Sequence, residues 1–175
     1  MGMNGLQVDM AKESDINAIA DLQIASWRFA YRGMLPDAFL GEPVEAVLRE
    51  RWARLPVDPW RVVVARRGTD ILGVSSIDLS SEPGAYIDNF HVHPDTHRGG
   101  IGRALLIESA RVVQASARDQ MWLTVIDANH QARQFYRALG GAEGLAEPDL
   151  LYGNPIVSLP VTWPDLEAIS ALNSP

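Results

Sequence analysis

The chain has 175 residues with a formal net charge of −7, 47% hydrophobic and 21% charged residues, and no cysteine. The length fits one domain of ordinary size, and the composition is typical of a globular protein that can bury a sizeable core. The acidic charge argues against a general nucleic-acid binder, and the lack of cysteine excludes disulfides, thiolate nucleophiles and cysteine-based zinc sites.

The N-terminal part is predicted to form a strand and two helices. Residues 1–9 lack the basic and apolar regions of a signal peptide, and no apolar run is long enough to span a bilayer, so we expect a cytoplasmic protein without a membrane partner. Residues 6–10 form the strand. Ser14 is expected to cap a helix with an apolar face from Ile16 to Tyr31, which ends before Pro36. A second helix is predicted over 44–55.

Strands follow in the middle of the chain. Residues 61–66 are rich in valine, 67–70 form a turn, and 71–79 continue the pairing as a hairpin. After a loop over 80–84, a further strand covers 86–93 and ends at Pro94.

Helices and strands alternate in the last part. We predict a helix over 100–117, a buried strand over 121–126, a short helix over 129–139 that Gly140 and Gly141 end, and strands over 142–147 and 156–162. The predicted fold class is α/β (α+β), with a mixed, mostly antiparallel sheet of about six to seven strands flanked by about four helices.

A glycine-rich loop is the most informative segment. The run His97-Arg98-Gly99-Gly100-Ile101-Gly102-Arg103 lies between a predicted strand and a predicted helix. The first N–H groups of a helix lack partners, glycines let the backbone approach a phosphate, and the two arginines add positive charge. The pattern indicates an anion site, although a turn that only packs a helix against a sheet is the alternative. The P-loop and dinucleotide-binding signatures are both absent.

This loop and two other segments resemble the GNAT family of N-acetyltransferases. The family signature is Gln/Arg-x-x-Gly-x-Gly/Ala after a strand ending in Val-x-Pro; here Val92-His93-Pro94 precedes the loop, and His97 stands where Gln or Arg is usual. The run Asn129-x-x-Ala132-x-x-Phe135-Tyr136-x-x-Leu139-Gly140 is similar to a later helix of the family, with Gly141 in place of phenylalanine. The segment 27–36 is similar to a first-helix segment of one branch.

The resemblance implies a single N-acetyltransferase domain over residues 1–175, with acetyl-CoA as cosubstrate. The N–H groups of the loop would hold the pyrophosphate, the strand before it would pair with the pantetheine arm, and Asn129 would face the cofactor, with Tyr136 near the sulfur. The implied cofactor-binding residues are Phe90, His91, Val92, Arg98, Gly99, Gly100, Ile101, Gly102, Arg103, Asn129 and Tyr136.

Two side chains are candidates for catalysis. Tyr136 would protonate the departing thiolate, because a phenol with a pKa of about 10 is protonated at neutral pH; its alternative role is a core aromatic. Asp88 would bind the cationic amine or act as a base through water, since many family members have an acidic residue there; its alternative is a charged residue on a solvated strand face. A backbone N–H near Val92 would stabilise the oxyanion.

The remaining polar and aromatic candidates have plainer interpretations. No metal site is predicted, because His91, His93, His97 and His130 offer no useful third ligand; they are interpreted as structural or surface residues, with His91 as a further candidate base. Arg133 and Arg137 lie on a solvated face or assist the CoA phosphates. Four N-terminal aromatics belong to the core or border the acceptor pocket, namely Trp27, Tyr31, Trp52 and Trp60.

The expected activity is acetyl transfer to a primary amine of a small molecule in a ternary complex. Two alternatives stay open, a protein N-terminal or lysine acetyltransferase and a non-catalytic acyl-CoA-binding sensor. The acceptor pocket is expected between the first two helices and a final loop over 147–154. Family members are often dimers, so the resemblance also allows a homodimer.

Overall fold

A computed structural model describes residues 5–96 and 99–172 of the chain. The loop residues His97 and Arg98 lie outside the described residues, and with them the predicted contact of Arg98 with the cofactor. Within the described ranges, no helix is long and apolar enough to cross a membrane.

The described residues form one eight-stranded sheet with six α-helices. The strands are β1 (Leu6–Met10), β2 (Trp60–Arg67), β3 (Asp70–Asp78), β4 (Ala85–Val92), β5 (Met121–Ile126), β6 (Ala142–Glu143), β7 (Glu147–Leu151) and β8 (Asn154–Trp163). The helices are α1 (Ile16–Ala30), α2 (Asp37–Leu40), α3 (Glu42–Arg51), α4 (Ile101–Ala115), α5 (His130–Ala138) and α6 (Leu166–Ser170).

The strand order is β1-β2-β3-β4-β5-β8-β6, and β7 also pairs with β8. Every pair is antiparallel except β4 with β5, which is parallel and is bridged by α4. This confirms the predicted mixed, mostly antiparallel α/β architecture. The parallel pair matters for the site, because it lies at the centre of the sheet.

The valine-rich strand β2 is buried on both faces of the sheet. Val63 packs in the cluster that contains Leu105 of α4, and Val64 packs in the cluster that contains Ile19 of α1. Successive side chains of a strand point to opposite faces, so a run of apolar residues is what two covered faces require. Helices on both sides therefore hold the central strands rigidly in place.

The predicted cap at Ser14 is wrong. A short 3-10 turn, Glu13–Asp15, precedes α1, and Ser14 is exposed. The residue that matters is the next one, Asp15, which accepts hydrogen bonds of 3.0 and 2.8 Å from the Arg66 guanidinium and of 2.8 Å from the Lys12 N–H. The start of α1 is thus tied to β2 by a long-range ion pair.

Other differences lie in short elements. The predicted strand over 142–147 is instead the two-residue β6, and β7 covers most of the segment expected to be a loop. The helices α2 and α6 were not predicted. α6 begins after Asp165, whose carboxylate accepts from the N–H groups of Glu167 at 3.0 Å and Ala168 at 3.3 Å, which is ordinary N-capping.

We expect the Asp15→Asn substitution to lower the free energy of unfolding by about 2–3 kcal/mol at neutral pH, because it breaks a largely buried ion pair. Hydrogen bonding from Arg66 holds the pKa of Asp15 below its usual value of 3.8. The stabilisation should therefore be complete above that value and disappear as the pH falls through the lower pKa of the folded state.

Urea unfolding of the unmodified protein and of the Asp15→Asn variant at a series of pH values measures the difference in their free energies of unfolding. The control is Asp21→Asn, which removes an exposed ion pair with Arg49 and should cost less than about 0.5 kcal/mol. A loss of stability in Asp15→Asn that stays constant down to strongly acidic pH would contradict the role of the Asp15–Arg66 ion pair.

Candidate active site

The two parallel strands at the centre of the sheet separate soon after they meet. Pairing of β4 with β5 is confined to Ala85 with Met121 and Tyr86 with Trp122. Beyond these pairs, the later half of β4 runs alongside β3 only. The result is a gap in the sheet where a ligand backbone can take the place of a strand.

A β-bulge at Asp88 coincides with this separation. In the pairing of β3 with β4, Ser76 lies opposite Asn89 and Ile77 lies opposite Ile87, so Asp88 is the extra residue. A bulge bends its strand and changes the direction of the side chains near it. It accounts for the departure of β4 from β5 and turns Asp88 toward the gap.

The gap opens into a cavity of about 450 Å³. Its lining comes from five elements: the later part of β4, the middle of β5, the start of α4, and the facing sides of α5 and α1. Most predicted site residues line it, namely Asp88, Phe90, His91, Val92, Gly100, Ile101, Gly102, Arg103, Asn129 and Tyr136. Gly99 is described but does not line the cavity.

The start of α4 forms the end of the cavity suited to an anion. Gly100 has a left-handed backbone with φ of +74°, and the first hydrogen bond of the helix joins the Ala104 N–H to the Gly100 carbonyl at 3.0 Å. The N–H groups before Ala104 therefore have no partner within the helix. Arg103 lines the cavity and makes no hydrogen bond or ion pair within residues 5–96 and 99–172. These groups fit a phosphate.

Close packing at the start of α4 requires a glycine at position 102. A Cβ atom on this residue would lie 3.1 Å from Cζ of Phe135 and 3.6 Å from Cγ2 of Val92. Since Phe135 belongs to α5 and Val92 to β4, the missing side chain lets three elements meet at the cavity wall. The glycine thus sets the width of the site as well as access to the backbone.

Tyr136 is both a core aromatic and a cavity residue. Its ring lies 6.0 Å from Phe90, 5.3 Å from Phe135 and 5.7 Å from Trp163, measured between centroids, and only 7% of the residue is exposed. Removal from water raises the pKa of the phenol above its usual value near 10. The hydroxyl therefore stays protonated over the whole physiological range.

Asn129 positions the helix that carries Tyr136. Its Oδ1 accepts a hydrogen bond of 3.2 Å from the Ala132 N–H, which makes it the N-cap of α5. The residue also lines the cavity. The side chain predicted to face the cofactor thus has a structural role at the same place.

Asp88 does not stand alone on a solvated face. Its Oδ2 accepts hydrogen bonds of 2.8 Å from Arg51 and 2.7 Å from the amide of Asn89. The side chain is about one-third exposed and lines the cavity. Arg51 offsets part of the negative charge that an incoming ammonium group would meet.

His91 is not available as a base, which overturns that candidate role. Trp27 Nε1 donates to His91 Nε2 at 3.1 Å, and Ser26 Oγ lies 3.1 Å from His91 Nδ1. Because an indole N–H only donates, Nε2 must accept and Nδ1 must carry the proton. Desolvation lowers the pKa of this histidine to about 4, so it stays neutral. In the described part of the chain, no cluster of residues is arranged to hold a metal ion.

The side of the cavity next to α1 includes Tyr31, which the sequence did not distinguish from a core residue. Tyr31, Ser26 and Ala30 of the α1 region line the cavity, and desolvation raises the pKa of Tyr31 to about 12. Tyr31 lies in the family-like segment 27–36, but the periodicity of the sequence does not distinguish a cavity-lining aromatic residue from a core residue.

Arg133 and Arg137 do not belong to the site. Arg133 binds Glu143 at 2.8 Å and Asp127 at 2.7 Å, and Arg137 lies 3.6 Å from Glu143. Neither arginine lines the cavity, so the geometry gives no support to their suggested contact with the CoA phosphates.

A family model and a relative of known sequence both point to acetyltransferases. The model of the family described as "Acetyltransferase (GNAT) family" matches residues 17–140. The N-acetyltransferase YuaI of Bacillus subtilis (strain 168) is 27% identical over 167 residues, covering 93% of this chain and 95% of the relative.

Solved structures share the fold. The acetyltransferase yncA from Salmonella typhimurium, solved with its cofactor acetyl-CoA, has a TM-score of 0.65 at 18% identity, covering 93% of this chain and 95% of its own. The ribosomal-protein-alanine N-acetyltransferase from Brucella melitensis has a TM-score of 0.65 at 18% identity, covering 90% and 98%. At these identities the likeness establishes the architecture alone.

We expect Gly102→Val to weaken acetyl-CoA binding by at least about tenfold, because the new side chain collides with Phe135 and narrows the cavity. Isothermal titration with acetyl-CoA measures the change. The control is Gly41→Ala, where the nearest atom to an added Cβ is 3.6 Å away and outside the cavity. A correctly folded Gly102→Val protein with unchanged affinity would refute this account of the cavity wall.

Proposed function

The chain belongs to the GNAT family of acetyltransferases, and from that premise we propose that it transfers the acetyl group of acetyl-CoA directly to the primary amine of a small molecule in a ternary complex. One observation carries the proposal. A single cavity joins the anion-binding start of α4 to Tyr136 and Asp88. The cosubstrate and the acceptor can therefore meet without leaving the gap between β4 and β5.

The cosubstrate would lie along the separated edge of β4. The N–H groups of Gly100, Ile101 and Gly102, with the side chain of Arg103, would hold the pyrophosphate, while Arg98 and Gly99 belong to the same loop. Phe90, His91 and Val92 would flank the pantetheine arm, whose amides can bond to the backbone of β4. Asn129 would border the arm from the start of α5. The placement is supported by N–H groups that have no partner within α4 and by Arg103, which pairs with no other described residue.

The transfer requires one bond to form and another to break. The neutral amine nitrogen attacks the thioester carbonyl, and a backbone N–H near Val92 would stabilise the oxyanion. When the C–S bond breaks, Tyr136 would give its proton to the thiolate sulfur and later recover one from solvent. Its raised pKa keeps the phenol protonated, and so able to donate, at neutral pH before the C–S bond breaks.

Asp88 would receive the acceptor. Its carboxylate lines the cavity and can bind the ammonium form of the amine, then accept its proton through water. A carboxylate is a poor direct base for an ammonium group, whose pKa is far higher. The water-mediated path is supported by the loss of His91 as an alternative, since both of its ring nitrogens are engaged.

Aromatic rings pack together beside the α1 side of the cavity. The ring of Tyr152, at the β7–β8 turn, stacks on Phe39 at 6.4 Å and packs on Trp27 at 5.9 Å. Tyr152 has a φ of +48°, which is unfavourable for a bulky residue and is tolerated where the surroundings hold it. Trp27 in turn contacts the lining residue His91, so these rings border the site that we propose for a small acceptor.

Release of free CoA in the presence of a panel of amines and peptides tests the proposed activity. We expect turnover with small primary amines at rates well above those with peptides of matched charge. Turnover confined to peptide N-termini or lysines would replace the small acceptor with a protein. Binding of acetyl-CoA without any turnover would make the protein an acyl-CoA sensor.

We expect Tyr136→Phe to lower kcat by about 10²- to 10⁴-fold, as the loss of a general acid does, while the dissociation constant of acetyl-CoA changes little. Steady-state kinetics and titration calorimetry give the two quantities separately. The control is Tyr86→Phe: that hydroxyl bonds to Thr124 at 3.2 Å and its residue does not line the cavity. An undiminished kcat in Tyr136→Phe would remove the acid role.

A further inference from the structure

A chain of buried hydrogen bonds leads from the core to Asp88. Trp52 Nε1 donates to Gln23 Oε1 at 2.5 Å, Gln23 Nε2 donates to Asn89 Oδ1 at 2.5 Å, and Asn89 Nδ2 donates to Asp88 Oδ2 at 2.7 Å. Trp52 is 1% exposed, Gln23 0% and Asn89 7%. Each buried polar group thus depends on the next, because no solvent replaces a missing partner.

The direction of this chain is fixed at its buried end. An indole nitrogen donates and never accepts, so the oxygen of the Gln23 amide must face Trp52. The nitrogen of Gln23 then faces Asn89, which must present its own oxygen there and its nitrogen to Asp88. A reversed amide at either position would set two donors or two acceptors against each other in the core.

The bulge makes the last bond of the chain geometrically feasible. Neighbouring side chains on a regular strand point to opposite faces and do not meet. Asp88 is the extra residue of the bulge, so this alternation is broken and its carboxylate contacts the amide of the next residue. The feature that opens the sheet therefore also connects the cavity to the buried network.

The two donors on Asp88 bind the same oxygen. Arg51 and Asn89 both donate to Oδ2, whereas Oδ1 accepts no hydrogen bond from any residue in the ranges 5–96 and 99–172. Arg51 is itself held between the rings of Trp52 and Trp60, with Cζ at 5.3 and 5.4 Å from their centroids. One oxygen is anchored from two sides, and the other remains for a ligand.

We propose that Asn89 is a positioning residue that Gln23 and Trp52 orient, and that it fixes Oδ2 of Asp88 so that Oδ1 receives the acceptor amine. The inference rests on the proposed role of Asp88 in binding the amine. It adds that the acceptor meets one defined oxygen. It further adds that the orientation of this oxygen depends on a donor three side chains away, at the Trp52 indole.

A double-mutant cycle separates this role from a structural one. Asn89→Leu removes both hydrogen bonds while keeping the branched shape and the number of heavy atoms of the side chain, and we expect kcat/KM for the amine to fall about 10- to 100-fold, with the affinity for acetyl-CoA unchanged. In an Asp88→Asn background, the same substitution should cause almost no further loss, because the group it positions is gone. Equal losses in both backgrounds would overturn the proposal.

Gln23→Met provides a second variant that leaves the Asn89–Asp88 contact sterically possible. We expect its kcat/KM to fall by a smaller factor than that of Asn89→Leu, and again only when Asp88 is present. The matched control is Ser109→Ala, which removes a buried hydroxyl pair with Ser75 at 2.9 Å outside this network. It should leave kcat/KM unchanged while lowering stability modestly.

A crystal structure of each folded variant gives a readout that needs no turnover. We expect the Asp88 carboxylate to rotate when Asn89 or Gln23 is replaced, and an unmoved carboxylate in both variants would refute the positioning role. The premise that Asp88 binds the acceptor amine can fail independently of the role of Asn89. If Asp88→Asn alone leaves kcat/KM unchanged, Asp88 does not bind the acceptor and the proposed orientation falls with it. Additive losses would remove only the role of Asn89.

Discussion

The early separation of β4 from β5 is the constraint on which the rest of the structure depends. Two residue pairs join the strands, the bulge at Asp88 then bends β4 away, and the gap that remains is the cavity. Separated strands leave backbone groups unpaired at the middle of a sheet, which is costly unless a ligand or water satisfies them. The helices on both faces hold the strands apart, so the gap persists without collapse of the sheet.

The start of α4 makes one end of this cavity different in charge from the rest. The left-handed Gly100 aims the first turn of the helix at the cavity, and the missing side chain of Gly102 lets Phe135 and Val92 close the wall beside it. Partial positive charge from the helix therefore lies at one end of the cavity. The carboxylate of Asp88 lies elsewhere on the same lining, so an anionic cosubstrate and a cationic acceptor are drawn to different parts of it.

The sequence predicts what depends on local pattern and misses what depends on distant partners. The strand 121–126 and the helix near 130–138 follow from periodicity and capping, and the left-handed turn that begins α4 follows from its glycines. Ser14 is a plausible local cap, but a contact 51 residues away makes Asp15 the important residue. The link between Gln23 and Asn89 spans 66 residues and has no local signature. Gly141 departs from the family pattern because an added Cβ would lie 2.5 Å from Val161.

Two tryptophans determine how protons can move at the acceptor end. The Trp27 indole donates to His91 and fixes it as a neutral imidazole whose other nitrogen faces Ser26. The Trp52 indole sets the direction of the amide chain that ends at Asp88. Both act because an indole N–H can only donate. One network thereby engages both ring nitrogens of His91, while the other leaves Oδ1 of Asp88 without a hydrogen bond from the described residues. In the proposed mechanism, the proton of the acceptor amine therefore leaves through that oxygen or through water bound to it.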